Sequence, residues 1–138
     1  MMQLVRLPAD GLELAWPIVA PFVEQMAERF PDDWPVGETW RQGIEGLLGF
    51  WVIWEPDEKK AYGVVGTKMG DKPSGKRVLV VEIAAGVEHT RWAHLISELE
   101  AYAIANTCHR VEIRGRGGWA RTLDGYRLER EPLLTKEL

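Results

Sequence analysis

"RVLVVEIAAGVEHTRWAHLISELEAYAIANTCHRVEIRG", residues 77–115, decides the fold. Its first ten residues form an almost unbroken apolar run, the pattern of a strand covered on both faces and therefore placed inside a sheet. From Thr90 to Thr107 the period becomes helical. Trp92, Leu95, Ile96, Leu99, Tyr102, Ala103 and Asn106 fall on one side, while Arg91, Glu98 and Ala105 face elsewhere. Residues 109–115 read as a strand again. Strand, amphipathic helix and strand make a βαβ unit, which sets the two strands parallel with a right-handed crossover.

The surroundings of this unit are largely antiparallel. "FWVIWE" (50–55), the turn "PDEK" (56–59) and "KAYGVVGTKM" (60–69) form a hairpin rich in Val, Ile and aromatic residues, and "GDKPSGK" (70–76) turns the chain into the apolar strand. Nearer the start, "QLVRL" (3–7) reads as a strand stopped by Pro8 and Gly11. A helix over 13–30 follows, with Ile18, Phe22, Met26 and Phe30 at helical spacing. Pro17 and Pro21 lack amide hydrogens, which predicts that its regular part begins near Trp16 to Ile18. Residues 38–48 suggest a second, short helix weakened by Gly43 and Gly46. After the βαβ unit come a short helix at 118–123 and the strands "GYRLER" (125–130) and "EPLLTKEL" (131–138). The order β-α-α-β-β-β-α-β-α-β(-β) predicts one α/β (α+β) domain over 1–138, a mixed, largely antiparallel sheet with one central parallel βαβ unit.

Composition narrows the partners. With 46% hydrophobic and 28% charged residues, a net charge of -4 and a pI near 5.4, the chain lacks the cationic surplus that nucleic acids and anionic membranes attract. Arg110, Arg114, Arg116, Arg121, Arg127 and Arg130 nevertheless bunch in the last third, partly offset by Glu112, Glu129 and Glu131. The single cysteine, Cys108, permits no internal disulfide, and no secretory pattern or apolar span is visible, so a cytoplasmic location is expected.

The element order, together with the tail "GWARTLDGYRLEREPLLTKEL" (118–138) in which a short helix leads to Gly125, the aromatic Tyr126 and a last strand, resembles the GNAT superfamily of N-acetyltransferases. The wording from Ala84 onward also resembles small GNAT-like proteins of tailed bacteriophages, which implies host cytoplasm or the virion as the setting. The resemblance implies that strands 77–85 and 109–115 splay around the pantetheine arm of acetyl-CoA, with backbone near a bulge, here Ala84 and Ala85, meeting the thioester oxygen. It also implies a glycine-rich pyrophosphate loop at the start of the following helix. That stretch reads "AAGVEHTRWAH" and keeps one glycine, Gly86, beside bulky residues and the like-charged Glu88. Arg116 and Arg121, with Arg91, are the cations available to compensate. The family commonly places a proton-donating Tyr four residues before the Gly of the tail. Arg121 stands there, and an arginine keeps its charge.

Among chemistry-bearing residues, Glu82 interrupts the apolar run on the alternation of Val78 and Val80. It is the candidate general base, because burial raises a carboxyl toward a useful pKa; the alternative is an ion pair with Arg114 or Lys68. "GRGGW" (115–119) is either an anion-binding nest or a tight corner over which Trp119 packs; it matches neither a P-loop nor a dinucleotide fingerprint. His89 and His94 are five residues apart and Cys108 and His109 adjacent, spacings unsuited to a shared metal, and Cys108 reads as a small apolar residue. Of seven tryptophans, Trp34 and Trp40 sit in a Pro- and Gly-rich connection and are expected to be exposed, as suits an unidentified phage or host protein partner. Two functions stay open: a GNAT-like protein with weak or absent acetyltransferase activity that acts through protein interaction, and an acetyl-CoA-dependent N-acetyltransferase acting on an amine. The first expects no cofactor or weakly held acetyl-CoA, and is preferred because both the glycine loop and the Tyr are missing.

Overall fold

The computed structural model describes residues 1–114, 123, 125–127, 129 and 134–137. β1 (Gln3–Leu7), β2 (Gly49–Glu55), β3 (Lys60–Asp71), β4 (Arg77–Gly86) and β5 (Arg110–Ile113) form one sheet in chain order. The first three pairings are antiparallel: β2–β3 and β3–β4 are joined by short turns, and β1 pairs with β2 across the two helices that separate them in the chain; β4 and β5 are parallel, joined by a helical crossover. The βαβ unit read from the sequence is therefore present, with β4 between β3 and β5.

β2 shows how the sequence builds two cores. Trp51 and Ile53 point into a layer closed by Leu95, Ile96, Leu99 and Ala103 of the β4–β5 crossover, whereas Phe50 and Val52 point to the opposite layer, where Leu12, Val19, Val23 and Met26 pack. Period two in the strand and period near four in the helices thus meet on both faces. The helices are α1 (Leu12–Arg29), α2 (Val36–Ile44) and α3 (Ile96–Ala105).

Three boundaries differ from the sequence reading. α1 starts at Leu12, not near residues 16–18, and carries Pro17 and Pro21 inside it. Leu12 is 1% exposed, and burying this side chain in the first turn outweighs the hydrogen bonds the prolines cannot donate. α2 covers Val36–Ile44 and not 38–48. Pro35 accepts bonds from the amide and hydroxyl of Thr39 at one end, and at the other Gly46, at φ +76°, turns the chain so that the amides of Leu47 and Leu48 reach Gln42. α3 occupies only the second half of the expected 90–107 helix. The first half is two 3-10 turns, His89–Arg91 and Ala93–Leu95, because Trp92 at φ −130° folds down into the core, 1% exposed.

The tail readings fall largely outside the described residues: the 115–119 turn, the 118–123 helix and most of the two final strands. Its described residues 125–127, 129 and 134–137 carry no strand, contrary to expectation. Among the described residues, the tail meets β5 through the side chains of Arg110 and Glu129, 3.1 Å apart.

Candidate functional site

Glu82 lies at an irregularity of β4. Gly66 faces Ile83 and Thr67 faces Val81, so Glu82 is an extra residue with no partner on β3: a β-bulge. The bulge reverses the alternation. Leu79 and Val81 enter the α3 layer, while Ile83 and Ala85 enter the α1 layer. The alternation of Val78 and Val80 therefore stops at Glu82 itself. Its side chain is 16% exposed, and its Oε2 lies 3.9 Å from Nε of Arg114, the partner foreseen in the ion-pair reading. Lys68, the other foreseen partner, sits over the Trp34 ring at 5.6 Å.

Pairing with β5 runs from Val78↔Arg110 to Val81↔Ile113, and the Arg114 amide bonds to the Val81 carbonyl at 3.0 Å. β4 continues for five more residues, Glu82 to Gly86, and among the described residues nothing pairs with them on the β5 side. Ala84, Ala85 and Gly86 lie on this extension, paired on their other side with Val65, Val64 and Gly63. Ala85 is buried in the α1 layer, Ala84 packs against the α3 layer, and the Gly86 carbonyl accepts a 3.4 Å bond from Gln25 of α1.

The loop that follows is filled by its own side chains. A Cβ on Gly86 would stand 2.4 Å from the Tyr62 carbonyl oxygen and 2.8 Å from the Gly63 Cα, with the Trp92 ring 3.2 Å away. Gly86 and Gly63 are thus glycines because two backbones and an indole meet there. Trp92 Nε1 donates to the Val87 carbonyl at 2.9 Å, which pins the ring across the loop. Glu88 takes a left-handed conformation, φ +50°, that side chains adopt at a cost. Arg91 is held between Glu58, at 3.4 Å, and Glu88, at 3.5 Å, and donates to the Tyr62 hydroxyl at 3.0 Å. That hydroxyl also donates to Glu58. The bond holds Glu58 below the usual carboxylate range and pushes the Tyr62 phenol above its usual value. No α-helix begins until Ile96. An incoming pyrophosphate would meet an indole and two carboxylates where it needs outward-turned amides, so these residues do not fit that group.

Arg116 and Arg121 lie outside the described residues. Trp34 and Trp40, expected to be exposed, are half-buried: Trp40 meets Trp16 edge-on at 4.7 Å, and both Trp34 and Trp40 pack on the α1 layer, since apolar area this large is drawn under the helix pair. Cys108 precedes β5 and packs on the α3 layer as a small apolar residue. Among the described residues no cluster of three His, Cys, Asp or Glu side chains could hold a metal ion, and no helix is long and apolar enough to cross a membrane. The Glu58–Tyr62–Arg91 cluster escaped the sequence reading. Its one sequence signal is Tyr62 in a Gly- and Val-rich strand, and nothing in the spacing brings residue 91 to residue 58.

No protein-family model matches the sequence, and no curated protein does. Solved structures match its shape. An acetyltransferase of Trypanosoma brucei aligns over 99% of this chain and 100% of its own at 12% identity, TM-score 0.65. An aminoglycoside acetyltransferase from an uncultured soil metagenomic sample, solved in complex with sisomicin, aligns over 99% and 96% at 14% identity, TM-score 0.71. A protein of Clostridium acetobutylicum predicted to be an acetyltransferase, solved with acetyl-CoA, aligns over 99% and 96% at 13% identity, TM-score 0.66. The chain has the GNAT-like fold.

Proposed function

We propose that this GNAT-fold protein transfers acetyl groups weakly or not at all, and that it holds acetyl-CoA weakly if it holds it. One observation carries the reading: the loop after β4 is closed over by Trp92, Glu88 and the Arg91–Glu58 pair, at the place where the family resemblance expects phosphates. Losing several charge-assisted hydrogen bonds, each worth about 1.5–3 kcal/mol, moves a micromolar site into the millimolar range. A role through a protein partner, and kinship with phage proteins, belong to the same proposal; the aromatic group Trp16, Trp34 and Trp40 beside α1 and α2, half-buried and so half available, supports the first.

An active amine N-acetyltransferase is the second reading, favoured by the bulge at Glu82 and by the extension of β4 beyond Val81, with which no described residue pairs on the β5 side. In it Glu82 takes a proton from the amine, with Arg114 3.9 Å from the carboxylate. Calorimetric titration with acetyl-CoA separates the two. The proposal expects no saturation below millimolar concentration; micromolar saturation with acetylation of any amine overturns it.

A further inference from the structure

Three donors gather on the hairpin side of the closed loop. The Arg91 guanidinium lies 4.7 Å and the Lys60 ammonium 4.9 Å from the centre of the Tyr62 ring, and the Tyr62 hydroxyl bonds directly to Arg91. Tyr62 is placed there by a second bulge: Ile53 faces Gly63 and Trp54 faces Ala61, so Tyr62 is the extra residue of β3. Its ring is 3% exposed and fixed in the core, while Arg91 remains near half exposed. The acceptors are carboxylates of the same chain, Glu58 from the β2–β3 turn and Glu88 from the loop after β4. Carboxylate and phosphate oxygens compete for the same guanidinium, ammonium and hydroxyl donors, and the contest is decided by geometry and charge.

We infer that Lys60, Tyr62 and Arg91 form an anion site for a phosphate or pyrophosphate group, held closed by Glu58 and Glu88 acting as internal counter-ions. The inference rests on the proposed function, since it supplies the reason why phosphates are refused. The closure is also a mechanical tie. Glu58 and Arg91 are 33 residues apart and join the hairpin to the crossover loop, so the pair opposes lifting of the loop. Glu88 adds a second brake, since its left-handed backbone places a carboxylate against Arg91 where a neutral residue would leave the guanidinium open.

The test is the double variant E58Q/E88Q, titrated calorimetrically with inorganic pyrophosphate and separately with acetyl-CoA, beside the wild-type chain. Both glutamates are about half exposed, so the variant folds, which its thermal transition checks. The expected result is at least a tenfold gain in pyrophosphate affinity over wild type, abolished when Arg91→Gln is added. An unchanged pyrophosphate affinity overturns the inference, as does a gain that survives Arg91→Gln. Tyr62→Phe supplies an independent reading: added to E58Q/E88Q it removes a donor of the site, and pyrophosphate affinity falls relative to the double variant, whereas an unchanged affinity counts against the site. Micromolar acetyl-CoA binding by the wild type refutes the proposed function and the closure with it; failure of the double variant to gain pyrophosphate affinity, with weak acetyl-CoA binding by the wild type, refutes the closed anion site alone.

Discussion

Gly86→Ala asks directly whether the glycine after β4 serves a ligand or the core. The added Cβ would stand 2.4 Å from the Tyr62 carbonyl oxygen and 2.8 Å from the Gly63 Cα, distances that real Cβ atoms do not show. Both neighbours are backbone in the β3–β4 ladder, so neither swings aside as a side chain does. The Val87 amide bonds to the same Tyr62 carbonyl at 2.9 Å, which ties the two strands at this point. Overpacking costs about 1–3 kcal/mol where side chains adjust, and a clash with two backbones belongs at the upper end, about 3 kcal/mol. At about 3–4 °C per kcal/mol for a chain of this size, the midpoint falls by about 10 °C. Differential scanning calorimetry at neutral pH measures it. Gly37→Ala is the matched control. It lies in α2 with nothing within 4 Å of the added methyl, and is expected to raise the midpoint slightly, by about 0.5 kcal/mol of helix propensity. A Gly86→Ala midpoint within one or two degrees of wild type (about 0.5 kcal/mol) would refute the close approach, and with it the claim that Gly86 is there for packing.

Trp92→Ala removes an indole that is 1% exposed and lowers stability by about 3–5 kcal/mol, read from urea unfolding. Thr67→Val leaves the buried Trp51 Nε1 without the hydroxyl it reaches at 3.0 Å and costs about 1–3 kcal/mol in the same assay. Glu38 is held at about 2 by its hydrogen bonds from Arg41 and Gln42, against an ordinary 4.5. A depressed carboxyl stabilises above its unfolded value and loses that contribution as the pH falls through its folded value, so any stability difference between wild type and Glu38→Gln shrinks from pH 4.5 toward 2; a difference that grows across that window contradicts the assignment.

The fold was legible because its decisive signals are local. An apolar run, a helical period and a second strand within residues 77–115 imply parallel pairing from geometry alone, and the hairpin at 50–69 reads from alternation. The errors came where a tertiary contact overruled a local rule. Leu12 is drawn into the α1 core and carries the helix start past two prolines; Trp92 is drawn under the loop and breaks the first turns of the crossover helix. The site divides in the same way. Glu82 is conspicuous as the one carboxylate in its strand, and Arg114 lies 3.9 Å from it. The Glu58–Arg91 pair is not, because neither residue is unusual for its segment and only the two bulges, at Tyr62 and Glu82, bring the hairpin and the loop together.

Those bulges carry the argument about function further than any single side chain. Each inserts one residue and reverses which layer the following residues enter, so neither is lost by a point substitution without re-registering a strand through both cores. The Glu82 bulge precedes the end of β4, with which no described residue pairs on the β5 side. The Tyr62 bulge seats the phenol that helps tie the adjoining loop shut. Under the proposed function, the first lies where the acyl group would be received and the second where the phosphates would be refused. Closure rests on an indole and two half-exposed carboxylates, all replaceable one at a time, while the bulge is written into strand register. Under the proposed function, then, strand register is the harder of the two to lose, and a chain that keeps its bulge while filling its loop gives up its grip on phosphate first.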